Sequence, residues 1–439
     1  MRRVRYRLPV MRSTLALTAA AALTLTVYAC TSKHVEAPPV DEPEEAGVDA
    51  GPTCEGSGIQ KGPFVVAMTT TAAKVRWETC REDAANGLKV TVGSAAPRAV
   101  GGNASKFTLT KEYEAFLTPK AAKDYPGPVW THEVFIDGLQ PGTCGTYALD
   151  GDTSKGGAFC TLREPSDELR FVAIGDTNPG LLRTGPLLPQ AKTATFSPDF
   201  VFHLGDIQYY DSRLETWASW FPLMQPLLSL GGFFAVLGNH EFENSTDYDE
   251  FYHRLFESKG FPGTDRWYTF ESAGITFVVL DTESPMDEAS LQGTWMRDTF
   301  ASLAARKSSP EYRGAVVGFH KPFLTCGDTY DNPTNLALWE PRFVEAGVAT
   351  VFAGHMHGYE RFDHGGRPWI VTGGGGGAIR DPSQNMSRSY CNERTKGAAS
   401  YHLLRVRSEG TKLRMEAVDD GGIVFDTFDA PLLRGPRTN

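Results

Sequence analysis

A chain of 439 residues, 41% hydrophobic and 11% aromatic, can bury more than one core, so two domains are expected. Its formal charge is −10, and no block of Lys or Arg appears after the first dozen residues, which argues against a nucleic-acid-binding surface. A small phosphorylated ligand is not excluded, because bound cations can invert the local field whatever the net charge.

The N-terminus reads as a sorting signal. Arg2, Arg3, Arg5, Arg7 and Arg12 precede an apolar run over 14–29, shorter than the roughly 20 residues of a membrane-spanning helix. The run ends Val27-Tyr-Ala-Cys30, which resembles the lipobox of bacterial lipoproteins and implies lipidation of Cys30. A plain secretory signal is the alternative, and either one exports the protein, to the periplasm or the cell surface. Removing a leader (1–29) with five arginines and no acid leaves a charge of −15. In an oxidising compartment the six remaining cysteines are expected as disulfides, and none has the CxxC spacing of a zinc site. Cys144 and Cys160 flank a Gly/Asp/Ser-rich turn and should face each other in a hairpin. Cys326 with Cys391 would join two long loops, and Cys54 with Cys80 is what remains.

Residues 30–58 are rich in Pro, Glu and Asp and read as a disordered tether. From 59 to 165 short alternating apolar segments are separated by turn residues, the pattern of an antiparallel β-sandwich of about 100 residues with Trp77 as a core anchor. Leu139-Gln-Pro-Gly-Thr143 followed by Tyr147 looks like the turn and tyrosine of fibronectin type III domains. No ligand cluster occurs here, so this part reads as a packing domain. From 166 to 432 strands alternate with helical periods, the mark of an α/β domain. Helices are expected over 214–230, interrupted at Pro222 and Pro226, over 250–256, and over 291–305 with Trp295, Phe300 and Leu303 inward. Strands are expected near 267–270, 276–280, 369–372, 401–406 and 412–417. The glycine run 373–377 lacks a following Lys-Ser/Thr, so it predicts tight backbone packing beside a site rather than a phosphate loop.

Five apolar segments of this second half end on ligand-type residues: Phe171-Val-Ala-Ile-Gly-Asp176, Phe200-Val-Phe-His-Leu-Gly-Asp206, Phe234-Ala-Val-Leu-Gly-Asn239-His240, Ala315-Val-Val-Gly-Phe-His320 and Thr350-Val-Phe-Ala-Gly-His355-Met-His357. In an α/β sheet such residues collect at the carboxyl ends of the strands. Two hard or borderline cations about 3.5–4 Å apart need carboxylate, amide, imidazole or phenolate ligands and a shared oxygen. Asp206 suits the bridge. His355 and His357 alternate and so share one face of an extended segment.

The ordered set Gly175-Asp176, Gly205-Asp206-x-x-Tyr209, Gly238-Asn239-His240-Glu241, Val317-x-x-His320 and Gly354-His355-x-His357 resembles the calcineurin-like metallophosphoesterases, and within them the purple acid phosphatases. Gly62-Pro-Phe64 through Trp77-Glu-Thr79 is similar to the start of that family's fibronectin-like N-terminal domain, so the resemblance covers most of the chain from Gly62 onward. It implies a four-layer α/β/β/α catalytic domain behind the sandwich. It further implies that Asp176, Asp206, Tyr209 and His357 hold Fe(III), and that Asp206, Asn239, His320 and His355 hold a divalent ion such as Zn, Mn or Fe. The implied reaction is hydrolysis of phosphate monoesters by a metal-bound hydroxide, with His240 donating to the phosphate or protonating the leaving oxygen. One departure stands out: Asn178 occupies the place where the broad superfamily has His and plant-type relatives commonly have Gly. A phosphodiesterase or pyrophosphate hydrolase on the same site, or a non-catalytic surface-binding protein, are the other readings. His203 is expected as a hydrogen-bonded core histidine or a residue behind the ligands, and His364, His402 and Tyr210 as structural residues; Arg361, Arg380 and Tyr330 fall in loops near the site and could bind substrate, with a structural role the favoured reading. Loops at 244–249 and 326–335 are expected to line the entrance.

Overall fold

A computed structural model describes residues 54–108, 127–166, 168–178, 183–209, 213–242, 248–256, 261–329 and 331–436. The leader, Cys30 and most of the tether lie outside these residues, as do Tyr210, Tyr330 and part of the 244–249 loop. No helix among the described residues is long and apolar enough to cross a membrane.

Two large sheets carry the α/β part. Ten described strands form the first, in the order Val424–Pro431, Lys412–Asp419, His402–Glu409, Arg170–Ile174, Phe200–His203, Gly232–Ala235, Ile59–Val66, Ala73–Thr79, Val129–Ile136 and Asn103–Phe107. Seven form the second: Tyr268–Ser272, Ile275–Val279, Gly314–Gly318, Val348–Ala353, Arg367–Thr372, Tyr359–His364 and Arg394–Ala398. Their inner faces share one apolar core. Phe200 meets Phe277 edge to face at 5.4 Å, and Phe234 stacks on Phe270 at 3.8 Å. Such pairs add about 0.5–1.5 kcal/mol each beyond the area they bury.

Helices cover the outer faces and complete the α/β/β/α layering. Arg213–Leu228 lays Trp217, Trp220, Phe221 and Met224 on the first sheet. Leu291–Ala305 and Pro333–Ala346 cover the second through Met296, Phe300, Leu303, Trp339 and Phe343. Trp295, expected inward, is only partly buried.

Two expectations are corrected. Pro222 and Pro226 do not interrupt their helix, which runs through both. Both rings are exposed, so the missing N–H donors fall on the solvent side while the opposite face packs. Pro333–Ala346 begins inside the stretch expected as a loop at 326–335. Asn332 caps it by accepting from Asn335 N at 3.0 Å, and Pro333 sits at the first position, where its missing N–H costs nothing.

The N-terminal strands are consistent with the expected sandwich. Four of them, Arg98–Gly101, Gly87–Val92, Cys144–Leu149 and Gly156–Cys160, form a third sheet that shares a core with Val65, Val75, Trp77 and Val134 of the large one. Val65 pairs in parallel with Gly232, so the sandwich strands and the Arg170–Ala235 strands belong to one sheet. Disulfides join Cys54–Cys80, Cys144–Cys160 and Cys326–Cys391, and the register of the hairpin puts Cys144 opposite Cys160 as expected.

Candidate metal centre

Parallel pairing aligns the strand ends that carry the site. Phe200 lies opposite Phe171 and His203 opposite Ala235, so Asp176, Asp206 and Asn239 leave the first sheet at the same carboxyl edge. In the second sheet Gly318 pairs with Phe352, and His320, His355 and His357 emerge there together. Asp176, Asp206 and His355 all have left-handed backbones, with φ of 61°, 48° and 69°. Each such turn costs on the order of 1–3 kcal/mol and aims its side chain out of the strand line into the pocket.

The side chains form two overlapping groups. Ligand atoms of Asp206, His320 and His355 lie within 4.8 Å of one another, and so do those of Asp176, Asp206 and His357. Asp206 is the member common to both. His320 donates from Nδ1 to Leu204 O at 2.8 Å, which leaves Nε2 facing Asp206 Oδ2 at 3.1 Å and His355 Nδ1 at 3.2 Å. His357 donates from Nδ1 to Ala378 O at 2.9 Å, which turns Nε2 toward Tyr209 Oη at 2.8 Å and Asp176 Oδ1 at 3.5 Å. A backbone acceptor behind each imidazole thus presents its other nitrogen to the pocket. The Asp176 carboxylate accepts from His355 N at 3.0 and 2.9 Å, tying the two sheets together.

Asn239 sits between Gly238 and His240, and both neighbours press on Asp206: His240 N donates to Oδ1 at 3.0 Å, and a Cβ at Gly238 would stand 2.2 Å from the same oxygen. The amide oxygen of Asn239 is buried with no hydrogen-bond partner. An orphaned carbonyl in the turn packed against the buried Asp206 suits a cation, as do the mixed N and O donors of the two ligand groups. The electrostatics agree. Burial pushes Asp176 up, with Asp206 adding to it. Burial opposes the charged form of His320, but Asp206 and Asp176 outweigh it and raise the imidazole to about 10. His355 is pushed down to about 3, chiefly by burial, and the Tyr209 phenol is held well above its ordinary range by burial and by the acids around it. Acids this dry need compensating charge, and two cations would supply it.

Of the seven residues expected as ligands, Asp176, Asp206, Tyr209, His320, His355 and His357 are joined by these contacts, and Asn239 lies in the turn whose neighbours press on Asp206. His240 lies over the pocket, Nε2 3.6 Å from Asp206 Oδ2 and its ring 4.3 Å from that of Tyr209. The glycine run packs as expected: Gly375 N donates to Gly175 O and Gly377 N to Asp176 O, both at 2.9 Å. A Cβ at Gly377 would sit 2.7 Å from His357 and 2.8 Å from Tyr209 Oη, so only glycine fits. His203 is buried beside Thr177 Oγ1 at 3.0 Å, behind the site. Other candidates are engaged elsewhere: Arg361 with Asp426, His364 with Glu340 and Glu393, His402 with Thr372 and Ser400. Asn178 packs with its backbone N beside Gly376.

Glu241 has a role that the sequence reading left unassigned. Its buried carboxylate accepts from Asp206 N at 3.0 Å, Ile207 N at 2.9 Å and Gly238 N at 2.7 Å, clamping the two loops that carry Asp206 and Asn239. Burial, with Asp206 adding to it, pushes this acid up to about 8. A glutamate two residues after a ligand, in a Gly-led turn, was the available signal.

Residues 169–359 match the family model described as calcineurin-like phosphoesterase. Within that class the chain is similar to purple acid phosphatases. It is 28% identical over 242 residues to purple acid phosphatase 22 of Arabidopsis thaliana, covering 53% of each chain. Purple acid phosphatase 21 of the same plant is 28% identical over 266 residues, 56% of this chain and 58% of the relative. The chain thus spans little more than half the length of these curated relatives. Among solved structures, purple acid phosphatase PPD1 from yellow lupin (Lupinus luteus) seeds superposes with a TM-score of 0.66 at 18% identity, covering 84% of this chain and 74% of the other. PhoD superposes with a TM-score of 0.59 at 12% identity, covering 87% and 90%. At those identities the likeness is one of fold.

Proposed function

We propose that this chain is an exported, lipid-anchored, dinuclear-metal phosphatase that hydrolyses phosphate monoesters. The observation that carries the reading is the sharing of Asp206 by two ligand groups, the arrangement a bridged ion pair requires. Asp176, Asp206, Tyr209 and His357 would hold one ion, read as ferric because a phenolate suits a highly charged cation. Asp206, Asn239, His320 and His355 would hold the other, a divalent ion. When bound, the pair supplies Lewis acidity that activates water and offsets phosphoryl charge.

The chain's own residues do the rest. Glu241 keeps the Asp206 and Asn239 loops in register, and the backbone acceptors Leu204 and Ala378 hold His320 and His357 in the required tautomers. His240, packed on Tyr209 and half-buried at the pocket's rim, donates to the phosphoryl oxygens or protonates the leaving oxygen. Export rests on the arginine-rich leader and Cys30.

The test combines metal analysis, a visible spectrum and turnover. Iron together with a broad visible band that disappears in Tyr209→Phe is the expected result, with p-nitrophenyl phosphate cleaved faster than its bis-ester. His240→Ala should lower kcat by roughly 10²–10⁴, the usual contribution of a positioned acid. A colourless protein holding only zinc or manganese would remove the ferric assignment, and preference for the diester would move the activity to phosphodiester hydrolysis.

A further inference from the structure

Beyond the metal pocket, the segment after the glycine run carries a cation that the centre does not use. Residues of this segment clasp His357: Ala378 O accepts from its Nδ1 at 2.9 Å, and Arg380 N donates to its backbone carbonyl at 2.8 Å. Arg380 is therefore placed by its own backbone next to a ligand histidine. Its side chain is 45% exposed, and its guanidinium reaches Asp328 at 3.5 Å, longer than the roughly 2.7–2.9 Å of a well-made charge-assisted bond. Nearby arginines are far better engaged. Arg361 grips Asp426 at 2.8 and 3.2 Å, Arg388 donates to Thr325 O at 2.6 Å and Thr329 O at 2.9 Å, and Arg394 meets Glu360 at 3.1 Å.

The loops that present Arg380 and Asp328 are braced against each other. Cys326–Cys391 joins them covalently, Asn385 N donates to Cys326 O at 2.7 Å, and Asn385 Nδ2 donates to Gly327 O at 2.6 Å. Lys321, which follows the ligand His320, is by contrast engaged by Glu283 at 2.8 Å.

We propose that Arg380 is a specificity-determining residue that binds a second anionic group, a carboxylate or phosphate on the leaving portion of the substrate, in place of Asp328. This rests on the phosphatase reading above. A planar fork of five donors matches such an anion bidentately, and a guanidinium with a long, half-exposed internal contact loses little by exchanging it. In a protein of net negative charge, a cation at the rim also offsets the repulsion a polyanionic substrate would meet.

The test is calorimetric binding of phosphonoacetate and methylphosphonate to the metal-loaded full chain, alongside turnover of p-nitrophenyl phosphate. The wild type should bind phosphonoacetate at least about tenfold more tightly, the scale of one charge-assisted contact. Arg380→Met should bring that ratio to within about twofold by weakening phosphonoacetate alone. Asp328→Asn, which removes the competing carboxylate, should raise the ratio. Equal binding of both anions by the wild type, an unchanged ratio in Arg380→Met, or equal loss of both ligands would each overturn the proposal. A wild type that discriminates the two anions yet turns over no ester would sink the phosphatase reading and leave the anion preference of Arg380 standing.

Discussion

At Asp206 a single carboxylate meets His320 Nε2, the backbone N–H of His240 and the imidazole of His240, while its own N–H is held by Glu241. Burial would raise this acid, but His320 outweighs burial and keeps it well below the usual carboxylate range. Its φ of 48° is the strained part of the turn, and Glu241 stabilises that turn by accepting three backbone N–H groups. Glu241→Gln replaces one acceptor oxygen with an amide nitrogen that faces donors. Metal affinity should fall by about 10–100-fold, the usual cost of removing an outer partner of a ligand, as read by competition with a chelator. Affinity within twofold or so of wild type would mean that the loops hold their shape without the clamp.

Among the elements, Pro333–Ala346 shows how local chemistry places a helix that periodicity does not announce. Asn332 caps it, Pro333 opens it, and Gly347 ends it with φ of 75°. Trp339, Phe343 and Ala346 are the buried residues, and Trp339 Nε1 donates to Met286 O at 2.9 Å. Asn332→Ala should cost about 1 kcal/mol of stability in denaturant unfolding while leaving turnover unchanged. A loss of activity at constant stability would instead tie the cap to the Asp328 loop that precedes it. The helix Arg213–Leu228 makes the complementary point: two interior prolines do not end it, because tertiary burial of Trp217, Trp220 and Phe221 outweighs the lost donors.

For the whole molecule, the buried histidines outside the metal pocket set an acid limit on stability. His132 stacks on Trp77 at 4.9 Å and reaches Thr79 and Asn86, and burial pushes it from 6.5 down to about 4 although Glu78 pulls the other way. His402 is likewise lowered to about 4 by burial. A depressed histidine is neutral in the folded chain while the unfolded chain already takes up a proton. Its contribution is therefore complete above about pH 6.5 and is lost as pH falls toward 4, at up to about 1.4 kcal/mol per pH unit for each group. Thermal melting of the metal-free protein should show Tm declining across that window, with a shallower decline in His132→Gln. A flat profile between pH 6.5 and 4 would contradict it.

That Asp176, Asp206, His320, His355 and His357 come together was legible in the sequence, because each follows or closes a short apolar run with a small residue at its end, and five such runs occur in one chain. The hairpin of Cys144 and Cys160 was legible for a similar local reason. What tertiary structure decided were relations between distant segments. That Val65 pairs with Gly232, that Glu241 serves two loops, that the Asn239 amide oxygen is left without a partner, and that Arg380 stands beside His357 are all consequences of which strands lie next to which. Periodicity and spacing report how each segment buries its own side chains; they carry no term for the contact between segments a hundred residues apart, and the chemistry of the pocket is made of those contacts.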